Sequence, residues 1–231
     1  MQRPKIVAVD GPAGSGKSSL CALVCQRLGW TYINTGALYR GVGLLAMARN
    51  IDLEDVPGLV ALIDSCGSRL RWDSDRRELW YEDEHLTPQL NSEQAGYAAS
   101  KVAKQELVRA SLLPVQRQLT LAAPVGALVD GRDIGTVVFP DADLKVFLTA
   151  SLEERSRRRL QQLGASEGSA TGATLASIQQ GIARRDERDQ GRKTAPLKQA
   201  DDAVLLDTSA LNFEQSADAL IGLLRRHGLT K

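Results

Sequence analysis

The 231-residue sequence predicts an α/β fold with a parallel sheet that carries helices on both faces. Two observations predict it. Amphipathic helical stretches separate short apolar segments along the whole chain, and strands that alternate with helices are typical of parallel sheets. The apolar segments are short and nearly uninterrupted, as in strands buried on both faces. They lie at 5–10, 31–33, 126–130, 144–149 and 203–207.

The helices are predicted from the stretches between these strands. The first spans 17–28, where apolar residues recur on one face. Proline has no amide proton, so Pro114 should break or bend the helical stretch in which it lies. The stretch 164–174 is rich in Gly, Ala, Ser and Thr and is expected to be a mobile loop. The other helices are expected at 36–49, 55–66, 92–123, 151–163, 175–190 and 213–226.

Residues 69–90 have a different pattern. Large apolar side chains, among them Trp72 and Trp80, are interleaved with charged residues. Two turn-like acidic segments, at 73–75 and 82–84, divide the stretch. The pattern predicts two or three short antiparallel strands.

Composition excludes several classes of protein. Hydrophobic residues make up 43% and charged residues 25%, as in ordinary globular domains. The net charge of +1 indicates no nucleic-acid or membrane partner. No apolar run approaches the roughly 18 residues that span a bilayer. The three cysteines suit a reducing compartment and are interpreted as small apolar fillers, so we expect a cytoplasmic protein.

The segment from Gly11 to Ser18 fits the phosphate-binding pattern G-x-x-x-x-G-K-[ST], between a predicted strand and a predicted helix. Its glycines let successive amides point at a phosphate, and the helix directs its positive end at the same anion. Lys17 can reach the β- and γ-phosphates, and Ser18 can ligate Mg²⁺. The pattern predicts a site for ATP and Mg²⁺ that comprises Gly11, Pro12, Ala13, Gly14, Ser15, Gly16, Lys17 and Ser18, and the adjoining Ser19 is expected to belong to the same site.

This phosphate-binding loop, the P-loop, does not say what happens to the triphosphate. A GTPase switch should carry N-K-x-D, which the chain lacks. A motor ATPase usually has more domains than 231 residues can form. A kinase for a nucleotide or another small molecule needs an acceptor pocket and a basic lid, and the sequence has candidates for both.

Residues 151–193 are the candidate lid, with nine basic and six acidic side chains. Arg155 and Arg159 are one helical turn apart and share a face. Positioned arginines stabilise the charge on a transferring phosphoryl group, and two helices joined by a Gly-containing loop could close and exclude water. The alternative is a solvated helix face with ion pairs. We expect at least three of the basic residues to touch phosphate, out of Arg155, Arg157, Arg158, Arg159, Arg184, Arg185, Arg188, Arg192 and Lys193.

Together these features resemble the bacterial cytidylate kinase family over nearly the whole chain. The most specific segment is Asp-Gly-Arg-Asp-Ile-Gly-Thr-Val-Val-Phe-Pro-Asp at 130–141. The resemblance also rests on segments 11–19, 34–40, 98–103, 153–155, 185–192 and 195–197. It implies transfer of the γ-phosphoryl group of ATP to CMP or dCMP, which gives ADP and CDP or dCDP in pyrimidine nucleotide metabolism.

The resemblance also implies an architecture. It predicts one nucleoside-monophosphate kinase domain over 1–231, with a P-loop core, an acceptor-binding lobe at about 36–110 and a helical lid at about 151–193. The lobe should contain the small antiparallel sheet. We expect the protein to be a monomer.

Roles for the acceptor-site residues follow from the resemblance alone. Arginines that hold the CMP phosphate correspond to Arg40, Arg132 and Arg192. Groups that read the cytosine correspond to Ser100, Arg109 and Asp133. Residues near the sugar correspond to Arg185 and Asp189. The family commonly has Asp-Ser-Gly where this chain has Asn-Thr-Gly at 34–36; Thr35 keeps a hydroxyl for the substrate, and the role of Asn34 is open.

Roles on the donor side follow in the same way. Lid arginines near the ATP phosphates correspond to Arg155, Arg158 and Arg159. The residues expected to act on the transferring group are Lys17, Arg132, Arg155, Arg159 and Arg192. Asp130 ends a predicted strand and could hold a Mg²⁺-bound water or cap the turn.

The chemistry of cytosine agrees with these roles. A carboxylate at Asp133 can accept from N4, and a guanidinium at Arg109 can donate to N3 and O2. Uracil presents the opposite pattern and would leave buried groups unpaired, which costs on the order of several kcal/mol. The alternatives are that Asp133 caps a helix or pairs with Arg132, and that Arg109 is a solvated helix residue. The attacking CMP phosphate oxygen is already anionic, so the reaction needs no strong general base.

Overall fold

The computed structural model describes residues 3–90, 92–163 and 174–231. Its strands are β1 (Lys5–Asp10), β2 (Thr31–Asn34), β3 (Leu70–Asp73), β4 (Glu78–Tyr81), β5 (Glu84–His85), β6 (Gly126–Gly131), β7 (Leu144–Thr149) and β8 (Val204–Asp207). Its helices are α1 (Lys17–Leu28), α2 (Thr35–Ala48), α3 (Val56–Cys66), α4 (Thr87–Leu90), α5 (Glu93–Val102), α6 (Glu106–Leu121), α7 (Leu152–Gln162), α8 (Leu175–Gln190) and α9 (Phe213–Arg226). The loop expected at 164–174 lies outside the described residues except for Thr174, which caps α8.

The main sheet confirms the predicted α/β class. It has five strands in the order β2-β6-β1-β7-β8, and β2 pairs with β6, β1 with β7, and β7 with β8 in parallel. Every residue of β6 is buried, as is every residue of β1 after Lys5. Burial on both faces explains why these strands are continuous apolar runs in the sequence.

The described chain divides into two compact units. The first comprises Met1–Ile6 and Cys25–Asp130, and the second comprises Val7–Val24 and Gly131–Lys231. The predicted lobe at about 36–110 falls in the first unit, and the predicted lid at about 151–193 falls in the second. The core of the first unit is formed by α2, α3, α5, α6 and the small sheet, with Leu38, Leu59, Leu79 and Leu112 almost completely buried.

The small sheet at β3-β4-β5 is antiparallel, as predicted for residues 69–90. Its first hairpin contacts the backbone of β2. The indole Nε1 of Trp72 donates to the carbonyl of Tyr32 over 2.6 Å, and the amide of Tyr32 donates to Ser74 Oγ over 2.7 Å. Because β2 is an edge strand, these side chains satisfy backbone groups that an edge would otherwise leave open.

The stretch 92–123 contains two helices, but their boundary is not at Pro114. The chain leaves the helix at 103–105, and α6 runs without interruption through Pro114. The prediction of a break there is therefore wrong. Proline removes one backbone hydrogen bond, at a cost of about 3 kcal/mol in a helix interior. Burial of the neighbouring Leu112 and Val115 in the core offsets that cost.

All three cysteines are buried and none is in a disulfide, in agreement with their prediction as apolar fillers. Burial raises the pKa of the Cys25 thiol to about 12 and also raises the pKa of Cys66. Thiols of this kind are inert because the thiolate is the reactive species. Across 3–90, 92–163 and 174–231, no helix is both long enough and apolar enough to cross a bilayer.

Candidate active site

The P-loop connects the end of β1 to the start of α1, and this part of the chain, Val7–Val24, belongs to the second unit. Two of its glycines are required by the backbone. Gly11 has φ of 153°, and a Cβ there would overlap the carbonyl oxygen of Leu148. Gly14 has φ of 74°, a left-handed conformation that other residues rarely adopt. The glycine pattern of the sequence thus corresponds to a tight turn against β7.

The ammonium of Lys17 is held by the P-loop itself. Lys17 Nζ donates to the carbonyl oxygens of Gly11 and Pro12, each over 2.8 Å, and to Ser15 Oγ over 3.1 Å. Only 6% of the residue is exposed. The loop therefore keeps a buried positive charge beside its backbone, where a phosphate bound to the loop amides would meet it.

Asp10 is a site residue that the sequence analysis missed. It is the last residue of β1, and its two carboxylate oxygens accept from the amides of Ile134 and Gly135 over 2.8 and 2.7 Å. These amides begin the π-helical turn Ile134–Val138, which follows directly on Asp133. The bonds link the strand that precedes the P-loop to the segment that carries the predicted base-reading carboxylate.

The environment of Asp10 is unusual for a carboxylate. Burial raises its pKa from 3.8 to about 6; the charge of Asp133 also raises it, while the two amides and Lys17 lower it. Between about pH 4 and pH 6, the folded protein therefore holds a proton that the unfolded chain has released. The contribution of Asp10 to the free energy of unfolding is greatest below about pH 4 and is lost as the pH rises through about 6.

We expect Asp10→Asn to remove this pH dependence. The free energy of unfolding of the wild type minus that of the variant should fall by about 1–3 kcal/mol between pH 4 and pH 6.5. Urea denaturation at several pH values measures it. Asp201→Asn, at an exposed position, gives the background of removing a surface charge. A difference for Asp10→Asn that stays constant over this pH range would contradict the prediction.

Two of the arginines predicted to bind phosphate are brought together by one carboxylate. Asp189 of α8 accepts from Arg132 Nε over 2.8 Å and forms an ion pair with Arg192. Although burial alone would raise it, the charges of Arg132, Arg192 and Arg185 hold the pKa of Asp189 below its ordinary value. Two guanidinium groups are thus fixed side by side on an ionised, buried carboxylate. The resemblance placed Asp189 near the sugar, and here it orients the arginines.

The lid arginines differ in their surroundings. Arg155 of α7 is buried, and its Nη1 donates to the carbonyl of Ala13 over 2.8 Å. Arg158 Nη1 lies 3.4 Å from the carbonyl oxygen of Ser15, and its Nη2 donates to Thr208. Both therefore contact the P-loop backbone or lie beside it. Arg159 is exposed and donates to Gln162 of its own helix. Arg155 and Arg159 are one helical turn apart, as predicted, but the first is buried and the second is exposed to solvent.

In the first unit, Arg109 of α6 is buried over an aromatic ring. Its guanidinium carbon is 5.3 Å from the ring centroid of Tyr39, and its Nη1 donates to the carbonyl of Ala103 over 3.4 Å. Only 8% of Arg109 is exposed, so the alternative of a solvated helix residue is wrong. A buried arginine held by a ring and a carbonyl is a rigid donor, as base recognition requires.

The start of α2 resolves the role of Asn34. Its side-chain oxygen accepts from the amide of Ala37 and caps the helix, a function that an asparagine performs as well as an aspartate. The adjacent Thr35 donates through Oγ1 to the backbone carbonyl of Asp130 over 2.7 Å. The carboxylate of Asp130 accepts from the hydroxyl of Tyr32 over 2.9 Å. Asp133 makes no side-chain cap bond to the turn that follows it, so the capping alternative for Asp133 is wrong.

Arg40 and Ser100 lie on helices that pack closely in the first unit. A Cβ at Gly43 of α2 would lie 2.6 Å from the Cβ of Ala98 in α5. Glycine at this position lets the two helices approach, and each helix carries one predicted acceptor residue. The resemblance predicts a role for both residues, but it does not predict this packing.

Similarity to known proteins covers most of the chain. The family model for cytidylate kinase matches residues 7–226. A cytidylate kinase from Azotobacter vinelandii is 43% identical over 95% of this chain and 94% of its own length. Those from Bdellovibrio bacteriovorus and Exiguobacterium sibiricum are 41% and 44% identical, over 94% and 90% of this chain and 95% and 92% of their own lengths.

This protein belongs to the cytidylate kinase family.

Within the second unit of this cytidylate kinase family member, the structure groups the predicted residues into two sets. The first is the P-loop with Arg155 and Arg158, and the second is Arg132, Asp189 and Arg192. Arg185 is exposed and acts on Asp189 through its charge. The residues predicted in the first unit lie on or beside α2, α5, α6 and β6, and they are Thr35, Arg40, Ser100, Arg109 and Asp130.

Proposed function

We propose that this protein transfers the γ-phosphoryl group of ATP to CMP or dCMP, giving ADP and CDP or dCDP. The observation that carries the proposal is the pair of guanidinium groups, Arg132 and Arg192, held on the buried carboxylate of Asp189. It stands in the same compact unit as the P-loop. A kinase that transfers a phosphoryl group from one nucleotide to another needs two anion sites, one for each phosphate chain, and these groups supply both kinds.

The donor side is proposed to be the P-loop, Gly11 to Ser19. Its amides bind the phosphates, and Lys17 stabilises the charge on the transferring group. Arg158 and Arg155 act on the same side from α7, and Arg159, which is exposed here, is the lid residue with the weakest structural support. The lid at about 151–193 excludes water, which would otherwise be an acceptor.

Mg²⁺ is proposed to bind together with ATP. Ser18 is an exposed residue in the first turn of α1, and its hydroxyl is a neutral oxygen donor of the type that Mg²⁺ takes when phosphates supply its other ligands. Asp130 is a weaker candidate, through a bound water, because its carboxylate already accepts from Tyr32. When bound, the ion neutralises charge on the phosphate oxygens. The cytoplasmic location and the monomeric state remain predictions from the sequence.

The acceptor side is proposed from the residues that the resemblance implies, each with its own role. The arginines that bind the CMP phosphate are Arg40, Arg132 and Arg192. The groups that read the cytosine are Ser100, Arg109 and Asp133. Arg185 and Asp189 are proposed to lie near the sugar, and Thr35 is proposed to contact the substrate through its hydroxyl. An oxygen of the CMP phosphate attacks the γ-phosphorus in line, and no covalent intermediate with the protein forms.

Asp133→Ala tests the base-reading role. Without the carboxylate, cytosine loses an acceptor for N4, and uracil no longer meets a repelling charge. We expect the ratio of kcat/KM for CMP over UMP to fall by about 10-fold or more. Asp141→Ala, an exposed acid in the same segment, is the matched control. An unchanged ratio would remove Asp133 from base recognition.

The overall activity is tested by ADP release with CMP, dCMP, UMP, AMP, GMP and shikimate as acceptors. The proposed function requires turnover with CMP and dCMP well above the others. Turnover with a small alcohol and none with CMP would indicate a kinase of a different class. ATP binding without ADP release for any monophosphate would indicate a nucleotide-binding regulator.

A further inference from the structure

One residue of the P-loop has both of its backbone polar groups bound by side chains from the lid. The amide of Ala13 donates to Asp186 Oδ1 over 3.0 Å, and the carbonyl of Ala13 accepts from Arg155 Nη1 over 2.8 Å. The same nitrogen of Arg155 forms an ion pair with Asp186 Oδ2. Arg155 lies on α7 and Asp186 on α8, so side chains from both lid helices meet at a single residue.

Arg155 is buried and Asp186 is partly buried, so little water competes for the bonds between them. The side chains of Arg155 and Asp186 are only 9% and 13% exposed. Arg155 Nε also donates to the carbonyl of Ala150 over 3.0 Å, so the guanidinium is fixed at two places on the backbone. A buried charge pair with satisfied hydrogen bonds holds one geometry, and loss of one member leaves the other uncompensated.

We propose that Asp186, together with Arg155, is a positioning pair that sets the conformation of the P-loop at Ala13 and thereby its affinity for ATP. The sequence pattern for the P-loop does not include Asp186, and the lid arginines were expected to act directly on phosphate. The geometry assigns Arg155 to the loop backbone first. The P-loop amides then take their phosphate-binding arrangement when α7 and α8 are docked on Ala13.

The carboxylate is suited to this role because it does two things at once. One oxygen accepts from a neutral amide, and the other compensates the guanidinium that binds the neighbouring carbonyl. An asparagine can still accept from the amide of Ala13 but cannot balance the charge of Arg155. An alanine does neither. Because misplacement of catalytic groups by about 1 Å can cost about 100-fold in rate, the two substitutions should form a graded series.

The test measures binding of a non-hydrolysable ATP analogue with Mg²⁺ by titration calorimetry. We expect the Kd to rise by about 10-fold in Asp186→Asn and by more in Asp186→Ala. The KM for CMP, measured at saturating ATP, should stay within about 3-fold, since Asp186 is not among the acceptor-site groups. The control is Arg157→Gln, which removes an exposed ion pair with Glu154 on the same helix and should leave the Kd within about 2-fold.

The proposal rests on the proposed function only for the identity of the donor nucleotide. Binding of the analogue needs no acceptor. If the protein binds ATP but does not phosphorylate CMP, the proposed function is wrong, and the binding measurement still tests the role of Asp186. A merely structural role for Asp186 would lower the unfolding temperature and leave the Kd unchanged. That result in Asp186→Asn, with circular dichroism showing a native fold, would overturn the proposal even if Asp186→Ala fails to fold.

Discussion

Replacing Lys17 by alanine should lower kcat by about 100-fold or more, with a smaller change in the KM for CMP. The ammonium of Lys17 is buried in the P-loop and held by two carbonyl oxygens and a hydroxyl. A fixed positive charge needs no reorganisation when negative charge moves onto the transferring phosphoryl group, so its removal acts mainly on the transition state. ADP release at saturating ATP and CMP measures the effect.

Two controls separate this effect from damage to the loop. Lys17→Arg keeps the charge but not the compact ammonium that fits among the three acceptors, so it should recover only part of the activity. Lys5→Ala, at an exposed position of β1, should leave kcat unchanged. If Lys17→Ala keeps turnover within about 3-fold of the wild type, the assignment of Lys17 to the transferring group is wrong.

Arg132→Met should lower kcat/KM for CMP by about 100-fold or more, because two or more charge-assisted hydrogen bonds to the acceptor phosphate are lost. The substitution also removes one of the two arginines that form ion pairs with Asp189, and Arg192 is the other. Methionine fills much of the volume of the arginine stem, so the change is mainly one of charge and donors. Steady-state kinetics with CMP as the varied substrate measures the loss.

The matched control is Arg184→Met, at an exposed position of α8. It removes one positive charge from the lid segment, and kcat/KM for CMP should stay within about 2-fold. Binding of the ATP analogue should change little in Arg132→Met, since Arg132 is assigned to the acceptor. A loss of ATP affinity with normal affinity for CMP would place Arg132 on the donor side.

Most of the fold follows from local patterns. The strands of the main sheet are short apolar runs, and β1 and β6 are buried almost throughout, so the apolar runs located each strand within a residue or two. Apart from the four-residue α4, which lies in the stretch 69–90 predicted to form strands, the outer ends of the helical stretches were located within a residue or two. Pro114 is the exception, because its effect depends on how firmly Leu112 and Val115 are packed, and packing is not a local property.

The site also has a part that local sequence predicts and a part that depends on contacts between distant residues. The P-loop is contiguous, so its spacing alone identifies it. Asp10 and Asp186 were missed because each acts on a partner more than 120 residues away in the chain. One signal for Asp10 was present: a charged residue that ends a strand directly after four apolar residues. For Arg109, the ring of Tyr39 that buries it could be found only once α2 and α6 were folded.

The burial of Cys21, Cys25 and Cys66 has a practical consequence. Thiol-directed fluorophores should not react with any of the three native cysteines in the folded protein, so labelling does not require a cysteine-free variant. A cysteine introduced at an exposed helix position such as Arg157 would then carry the dye alone. Pairs of such labels would let single-molecule energy transfer follow α7 as nucleotide binds.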